Sequence, residues 1–264
     1  MIKVNLPKSL EEASFYTEYP FTIFELENLI DDEFYDLLVA DVKSRQDFDR
    51  VFSGKGDKRK FSLGGHNIKA NDDSSFGSFV RYFLSRNFFD WFAATHLSKY
   101  PSSGKPYYVY NKKSSEFKRL KASNENAASP MAFYNTEVHY SSMTRGGFIP
   151  PHTDSPKKRL SLVFYLPSEP VSENMQENLG TVFYKVKSGK NPWERFNSGL
   201  LNSRDTQRFL DEHEVAHTTT FQRNKCAGFI KNAVSWHAVE PNQYYYDRLS
   251  IVINIVEIWD GTVC

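Results

Sequence analysis

The chain has few cysteines, almost no net charge and no long apolar run, and each of these shortages excludes a class of protein. Its 264 residues include only Cys226 and Cys264, which are too few for a disulfide framework or a four-thiolate zinc site. Lysine and arginine number 33 against 32 aspartates and glutamates, a formal net charge of +1. That balance argues against a dedicated nucleic-acid-binding protein, which usually carries a basic excess. It also argues against a disordered polyelectrolyte.

The distribution of apolar residues argues against a membrane protein. The longest apolar-rich run, 249–259, contains Ser250, Asn254 and Glu257, so it is too short and too polar to cross a bilayer. The first seven residues lack the apolar core of a signal peptide. We therefore expect a soluble, cytoplasmic protein with no membrane partner.

Aromatic residues, by contrast, are abundant: 22 Phe, 15 Tyr and 4 Trp. Such a content favours a β-rich core or an aromatic-lined pocket. From Thr136 onward, about eight short runs of β-branched and aromatic residues are separated by turn signals. This rhythm predicts an all-β barrel or jelly roll. The predicted fold class is therefore mainly β with flanking helices.

The first half of the chain has a mixed pattern. Residues 21–30 predict a strand, the acidic residues at 31–33 predict the start of a helix, and Ser74-Ser75 predicts the start of one long helix through Phe92. The polar segments 54–65 and 112–130 are expected to be loops. We expect one domain over 1–264. Its helical and mixed region, 1–130, would support a jelly-roll core at 131–264 that carries an insertion at 187–214.

A candidate metal site combines two separate stretches of the chain. His152 and Asp154 lie two residues apart, so on an extended chain their side chains point to the same side. His237 follows 83 residues after Asp154 on a predicted strand. Two histidines and one carboxylate form the facial triad of non-haem Fe(II) oxygenases, which leaves three metal positions open. A buried structural histidine is the alternative for His237.

A candidate carboxylate-binding group follows at the start of the last predicted strand. Arg248 and Ser250 share one face of that strand. A guanidinium beside a hydroxyl suits a ligand carboxylate, because arginine can bind it in bidentate fashion. Tyr140, on the strand that enters the Gly146-Gly147 turn, could add a phenol. The alternatives are a surface Arg248 paired with Asp247 and a structural Tyr140.

Taken in order, these motifs resemble the 2-oxoglutarate/Fe(II)-dependent oxygenases, in particular their prolyl-hydroxylase-like branch, over about residues 134–259. The motifs are Tyr140, His152-x-Asp154, a strand from Gly180-Thr181, His237 and Arg248-x-Ser250. The resemblance implies a double-stranded β-helix (jelly-roll) fold. It also implies an enzyme that converts 2-oxoglutarate and O₂ to succinate and CO₂ while oxidising a prime substrate, with hydroxylation of an unactivated C–H bond as the usual outcome.

The resemblance also implies roles for individual residues. His152, Asp154 and His237 match the Fe(II) ligands. Arg248 matches the residue that pairs with the distal carboxylate of 2-oxoglutarate, with Ser250 and Tyr140 as helpers. No side chain is needed as a nucleophile or general base. The prime substrate is expected to be a small molecule or a peptidyl group, such as an amino acid, a natural product or a peptide.

Departures from related patterns narrow the expected chemistry. Halogenases of this superfamily replace the acidic iron ligand with a small residue, whereas Asp154 is present here. Nucleic-acid demethylases carry a second arginine six residues after the first, and this chain has Asn254 there. Prolyl hydroxylases often have lysine where this chain has Arg248, so proline is not the necessary substrate.

Two other classes of function remain open from the sequence. The string from His213 to His217 reads HExxH, the motif of helical zinc peptidases, and Glu240 could serve as a third ligand. The β-branched residues that follow at 218–220 disfavour a continuing helix, so we expect the string to straddle a helix end. The second class is a non-catalytic jelly-roll binding protein, which would be expected to lose a metal ligand or Arg248.

The insertion at 187–214 is a candidate lid. Connections this long are usually binding loops or lids, and this one carries Trp193 and Phe196 among charged residues. We expect these two aromatic residues to bind substrate. The alternative is a helix that only covers an edge of the barrel.

Overall fold

The structure is a computed structural model that describes residues 2–45, 48–53, 60–64, 72–97, 105–109, 115–124, 131–194 and 201–259. Thirteen strands are present among these residues: β1 Phe15–Thr17, β2 Ile23–Glu27, β3 Phe48–Ser53, β4 Lys60–Gly64, β5 Lys105–Tyr108, β6 Met131–Met143, β7 Ile149–His152, β8 Lys158–Tyr165, β9 Val182–Val186, β10 His213–Thr218, β11 Lys225–Ile230, β12 His237–Val239 and β13 Arg248–Trp259. The α-helices are α1 Asp32–Ser44, α2 Ser75–Phe83, α3 Arg86–Phe92, α4 Ser115–Asn124, α5 Glu173–Asn178 and α6 Ser203–Glu212.

The eight strands β6–β13 divide equally between two sheets. The larger sheet has the order β1-β2-β11-β8-β13-β6-β4-β3, with β5 also paired to β6, and the smaller sheet has the order β10-β9-β12-β7. Neighbouring strands of the two four-strand groups pair antiparallel. The predicted jelly roll is therefore confirmed, and the N-terminal half lengthens its larger sheet at both edges.

The alternation of side chains along the strands separates an outer face from a barrel interior. On β8, Leu160, Leu162 and Phe164 belong to the main hydrophobic core, where they pack with residues of α1, α2 and α3. Ser161 and Tyr165, at the intervening positions, are buried on the other face. Because the period of a strand is two residues, this pattern places helices against one face of the larger sheet and polar groups inside the barrel.

The helices begin where the sequence offers capping side chains. Asp31 accepts a hydrogen bond from the backbone N–H of Phe34 at 2.9 Å, and Ser74 accepts one from Gly77 at 3.0 Å, so both act as N-caps. The single long helix predicted from Ser74-Ser75 is wrong. The helix is interrupted at Leu84 and Ser85, because Ser85 adopts an extended backbone conformation. The apolar periodicity continues through this break because both α2 and α3 bury aromatic side chains in the same core.

Two segments expected to be loops contain regular structure. Strand β4 lies within 54–65, and helix α4 lies within 112–130. Helix α4 has a polar composition and buries only Asn124, so its sequence lacks the apolar stripe by which a packed helix is recognised. Among the described residues, no helix has both the length and the apolar character that crossing a membrane requires.

Candidate metal centre

The smaller sheet carries four side chains at one level across its strands. His237 on β12 is the register partner of His152 on β7 and of Phe183 on β9. Phe183 is in turn the partner of His217 on β10. The imidazole of His237 lies 4.4 Å from the ring of Phe229 on the larger sheet. This row therefore faces the barrel interior.

Within this row, His152 and His237 meet Asp154. The His152 Nε2 atom is 3.6 Å from Asp154 Oδ1, and the His237 Nε2 atom is 3.7 Å from Asp154 Oδ2. One ligand atom from each residue lies within 4.8 Å of the others. Among the described residues, this is the one group of three histidine, cysteine or acidic side chains with such spacing.

Backbone carbonyls fix the orientation of both imidazoles. The Nδ1 atom of His152 lies 3.0 Å from the carbonyl oxygen of Pro150, and Nδ1 of His237 lies 3.0 Å from that of Ser235. A carbonyl oxygen can only accept a hydrogen bond, so each Nδ1 carries a proton and Nε2 is the ring nitrogen that faces Asp154. This arrangement of the outer hydrogen bonds is typical of metal-binding histidines.

Asp154 is held in its ionised form. Burial alone would raise the pKa of its carboxyl group, but the attraction of Lys158, whose Nζ is 3.0 Å from Oδ1, and of the two histidines holds the pKa well below its usual range. The Ser161 hydroxyl lies 3.3 Å from Oδ2. The backbone of Asp154 has a φ of 65°, a left-handed conformation that aspartate tolerates better than most residues.

The three side chains fit a divalent metal ion. Burial and the neighbouring His152 lower the pKa of His237 to about 3, so its imidazole is neutral at physiological pH. Two imidazoles and one carboxylate, converging from one side, are the donor set of a facial triad and suit Fe(II). The predicted ligands are thus brought together by the fold in a form ready to bind a metal.

Arg248 lies inside the barrel near this centre. Its side chain is buried and donates hydrogen bonds to the Leu179 carbonyl at 2.6 Å, the Ser250 hydroxyl at 3.3 Å and the Thr181 hydroxyl at 3.4 Å. These bonds use three of the five N–H donors of a guanidinium. No carboxylate in the described part of the chain forms an ion pair with Arg248, and burial lowers the pKa of its guanidinium.

The surroundings of Arg248 are polar. The Tyr165 hydroxyl bonds to the hydroxyls of Thr181 and Thr219, and the Arg248 guanidinium carbon lies 5.3 Å from the centre of the Tyr165 ring. Buried polar groups are costly unless they are bonded. Arg248 is a buried cation that lies among hydroxyl groups and retains unused N–H donors. This environment suits a ligand carboxylate.

The structure does not bring Tyr140 to this pocket. Tyr140 on β6 is the register partner of Ile251 on β13, and its ring contacts Phe76 of α2 at 5.4 Å. Arg248 and Ser250 occupy the alternate positions of β13, so Tyr140 lies on the opposite face of the sheet. Tyr140, which we expected to contribute a phenol to the carboxylate-binding pocket, belongs instead to the hydrophobic core between the larger sheet and the helices.

The HExxH string does not form a metal site in this structure. His213 begins strand β10 directly after α6, and its ring stacks on Phe209 at 3.9 Å. His217 contacts Glu25 instead, with Nε2 2.7 Å from Oε1. An irregularity between Val215 and His217 shifts the register of β10, which sends the two histidines to different surroundings. The string does not straddle a helix end as we expected: α6 ends at Glu212, and all five residues of the string lie in strand β10.

The described part of the insertion packs on the outside of the smaller sheet. Trp193 lies in a cluster with Phe209 and Trp236, and its indole N–H donates to Glu212 at 2.7 Å. The other members of the cluster are Val182, Tyr184, Leu201 and Ala238. Val182 and Tyr184 alternate with the inward-facing Phe183, so the structure places Trp193 away from the barrel interior. Phe196 lies outside the described residues.

Sequence reasoning assigned no role to several residues of this site. Lys158 pairs with Asp154, and Ser161 links Asp154 to Asn254, whose Oδ1 accepts from the Ser161 hydroxyl at 2.9 Å. Tyr165 lies beside Arg248, and Thr219 bonds to the Tyr165 hydroxyl. The alternation of Ser161 and Tyr165 with apolar neighbours on β8 was a visible signal. The strand register that brings them to the site was not, because it depends on contacts distant in sequence.

Comparison with known proteins shows the same fold. The structure resembles a prolyl-4-hydroxylase from Pseudomonas putida with a TM-score of 0.54 and 11% sequence identity, over 94% of this chain and 96% of that one. It also resembles the non-heme alpha ketoglutarate dependent epimerase SnoN from nogalamycin biosynthesis, with a TM-score of 0.52 and 9% identity, over 89% of this chain and 78% of that one. No protein-family model and no curated protein sequence matches the chain. The fold of 2-oxoglutarate-dependent oxygenases is thus shared.

Proposed function

We propose that this protein is a non-haem Fe(II)/2-oxoglutarate-dependent dioxygenase. The observation that supports this proposal best is that one barrel contains both a His-Asp-His ligand set and, beside it, a buried arginine that has no acidic partner among the described residues. A metal site alone is common to many jelly rolls. The pairing of a metal site with a buried cation matches a co-substrate that chelates a metal at one end and carries a carboxylate at the other.

The strand geometry supports this pairing. Thr181, which contacts Arg248, directly precedes β9. Phe183, the register partner of His237, lies two residues further along the extended chain, so the two side chains face the same side. Two residues of a strand span roughly 6.6 Å, which is comparable with the length of a five-carbon dicarboxylate. Arg248 and Ser250 would hold the distal carboxylate, and His152, Asp154 and His237 would hold Fe(II).

Each group of residues then has a limited task. Iron and 2-oxoglutarate, when bound, supply the oxidation. His152, Asp154 and His237 fix three positions of the metal and leave three for co-substrate and O₂. Arg248, Tyr165 and Thr181 orient the co-substrate, and the aromatic side chain of Phe229 beside His237 limits access of water. The reaction that we propose is hydroxylation of an unactivated C–H bond in an amino acid, natural product or peptidyl group.

Anaerobic binding measurements test the proposal directly. Calorimetry of the wild-type protein should show one Fe(II) site, and 2-oxoglutarate should then bind only to the metal-loaded protein with measurable affinity. With O₂ and a substrate pool, succinate should form. The proposal fails if 2-oxoglutarate does not bind after the metal, because the known alternatives for a jelly roll require no such co-substrate.

Substitution of Arg248 by methionine tests the assigned carboxylate site. Loss of a charge-assisted contact to a buried carboxylate costs on the order of 2–5 kcal/mol, so 2-oxoglutarate affinity should fall at least about thirtyfold. Fe(II) affinity should remain near the wild-type value. A matched control is Arg223→Met, since Arg223 pairs with Asp36 on the protein surface. Unchanged 2-oxoglutarate affinity in Arg248→Met would mean that another cation binds the carboxylate.

A further inference from the structure

Three cationic side chains lie near the metal centre, at the end of the larger sheet where β8 begins and β11 ends. Lys158 and Arg159 begin β8, and Lys231 directly follows β11. The backbone N–H of Lys231 donates to the Arg159 carbonyl at 3.1 Å, so the ladder between β11 and β8 continues to this point. Lys231 therefore faces the same side as Phe229, whose ring contacts His237.

Two of these cations are paired with carboxylates. Lys158 pairs with Asp154, and Arg159 pairs closely with the buried carboxylate of Glu257. Lys231 is only 8% exposed, and the hydrogen bond of its ammonium group is to the carbonyl oxygen of its neighbour Asn232. In the described parts of the chain, no carboxylate lies within ion-pair distance of Lys231.

The surroundings of Lys231 disfavour its charged form. Burial lowers the pKa of its ammonium group; Asp154 raises it, and repulsion by Arg159 and Lys158 lowers it again, with a net decrease. A buried charge without a partner is destabilising. An anion bound beside Lys231 would offset this cost, because it would attract the ammonium group and reduce its repulsion by Arg159 and Lys158.

Lys225 on the same strand provides a comparison within the molecule. It is 7% exposed, so its burial matches that of Lys231. Its ammonium group, however, lies 2.5 Å from Glu25 Oε2 and donates to the Thr220 hydroxyl at 2.9 Å. Of these two equally buried lysines, Lys225 thus has a carboxylate partner, and Lys231 has none among the described residues.

We propose that Lys231, flanked by Lys158 and Arg159, binds an anionic group of the prime substrate, either a carboxylate or a phosphate. The assignment of this group to the prime substrate rests on the proposed dioxygenase function. The anion site itself is a property of the protein without metal. Glu137 faces the same interior but lies three strands from Lys231, roughly 14 Å away at ordinary strand spacing.

This subsite is separate from the pocket around Arg248. Arg159, beside Lys231, and Tyr165, beside Arg248, are six residues apart on β8, which corresponds to roughly 20 Å. Asp154 contacts Ser161 between them. An anion at Lys231 would therefore place the substrate on one side of the metal centre, while the co-substrate carboxylate lies on the opposite side.

Thermal unfolding of the metal-free protein tests the subsite without any turnover. At constant ionic strength maintained with chloride, phosphate or acetate should raise the Tm of the wild-type protein. In Lys231→Met this rise should shrink to the general stabilising effect of the added salt, while Lys231→Arg should keep the full rise because the charge is retained. In chloride alone, Lys231→Met should have a Tm roughly 2–4 °C above wild type, because a buried unpaired charge has been removed.

Lys225→Met is the matched control. It removes a lysine of equal burial from a paired site, so its Tm in chloride should fall, and the rise produced by phosphate or acetate should remain. A rise as large in Lys231→Met as in wild type would overturn the proposal, and so would a wild-type protein that responds to neither anion. If the difference between wild type and Lys231→Met is larger with phosphate than with acetate, the substrate group is a phosphate, and the reverse would identify a carboxylate.

A second measurement connects the subsite to catalysis. Succinate release by the enzyme loaded with Fe(II) and 2-oxoglutarate should be stimulated by compounds with a carboxylate or phosphate more than by their uncharged amides, and this preference should be lost in Lys231→Met. A protein that binds phosphate through Lys231 but does not bind Fe(II) and 2-oxoglutarate would refute the dioxygenase proposal only. Equal preference in wild type and Lys231→Met would refute the substrate assignment only.

Discussion

The two histidines of the candidate metal centre are oriented before any metal arrives. In each, the Nδ1 atom is bonded to a carbonyl oxygen two residues earlier in the chain, so the ring is held by its own strand. This device needs no distant partner, and it keeps Nε2 directed at Asp154. A preorganised ligand set binds its metal without the cost of ordering the side chains first.

The predicted metal ligand His237 and the HExxH residue His213 should respond differently to substitution by alanine. His237→Ala should abolish Fe(II) binding measured by anaerobic calorimetry, because it removes one of three converging ligands. His213→Ala should retain wild-type metal affinity, since His213 packs against Phe209 on the outside of the smaller sheet. Loss of metal binding in His213→Ala, with retention in His237→Ala, would instead support a zinc site at the HExxH string.

The turn before β9 determines the shape of the pocket around Arg248. Leu179 and Thr181 both accept hydrogen bonds from Arg248, and Gly180 lies between them. A Cβ atom added to Gly180 would fall 1.7 Å from the Thr219 backbone oxygen. The strand and the turn can therefore approach each other only because this residue has no side chain.

Gly180→Ala should consequently weaken both folding and co-substrate binding. Overpacking typically costs about 1–3 kcal/mol and can cost more where backbone must move, which urea denaturation would measure. The 2-oxoglutarate affinity should fall as well, because Leu179 and Thr181 shift. Gly189→Ala is the control: its φ is 76° but no atom lies within 4 Å of the added Cβ, so it should lose only about 1–2 kcal/mol and bind 2-oxoglutarate normally. Equal co-substrate affinity in Gly180→Ala and wild type would contradict this account.

The insertion at 187–214 contributes to stability in its described part. Helix α6 buries Phe209 completely against Trp193, Tyr184 and Trp236. Phe209→Ala should therefore destabilise the protein by about 3–5 kcal/mol, observed as a lower midpoint in urea.

Trp193→Ala should also lower stability, and it should reduce coupled and uncoupled turnover equally when assayed below the Tm. Selective loss of coupled turnover in Trp193→Ala would restore the lid interpretation.

The sequence indicates the periodicity of the barrel strands but not their register. The spacing of His152 and Asp154 and the faces of Arg248 and Ser250 follow from the two-residue period of a strand. Tyr140 could not be placed in this way, because its face relative to Arg248 depends on which residue of β13 it pairs with, and a shift of one residue reverses the face. The irregularity in β10 between Val215 and His217 likewise has no signature in composition.

Helices α2 and α3 show a similar limit. Their apolar residues follow one continuous helical pattern, yet the helix is interrupted at Leu84 and Ser85. Periodicity reports which residues are buried, and both helices bury theirs in the same core. It does not report a change in direction between two segments that face the same core. A break of this kind is decided by tertiary packing rather than by local preference.

Two buried groups make the stability of the whole protein sensitive to acid. Burial, with repulsion by Arg159, lowers the pKa of His96 to about 4. His96 is therefore neutral in the folded protein, whereas in the unfolded chain it takes up a proton near its ordinary value of 6.5. Glu25 has a lowered pKa as well: burial would raise it, but its bonds to His217 and Lys225 outweigh that effect.

Both shifts have the same sign, because in each case the unfolded chain binds more protons than the folded protein in acid. His96 should reduce the free energy of unfolding as pH falls from about 6.5 to about 4. Glu25 contributes stability above the ordinary glutamate value of 4.5, and this contribution is lost as pH falls through its lower folded-state pKa. Each group can change stability by at most about 1.4 kcal/mol per pH unit.

Urea denaturation of the metal-free protein between pH 7 and pH 4 should separate the two contributions. His96→Phe keeps an aromatic ring beside Phe92 and should flatten the decline between about pH 6.5 and 4.5, relative to wild type. Glu25→Gln should already lose about 3–5 kcal/mol at pH 7, because Lys225 loses the nearer and buried one of its two carboxylate partners, and its curve should be flatter below pH 4.5. Parallel curves for wild type and His96→Phe would mean that His96 is charged in the folded protein. A Glu25→Gln variant as stable as wild type at pH 7 would mean that Glu27, already 3.6 Å from the Lys225 ammonium group, compensates for the lost partner.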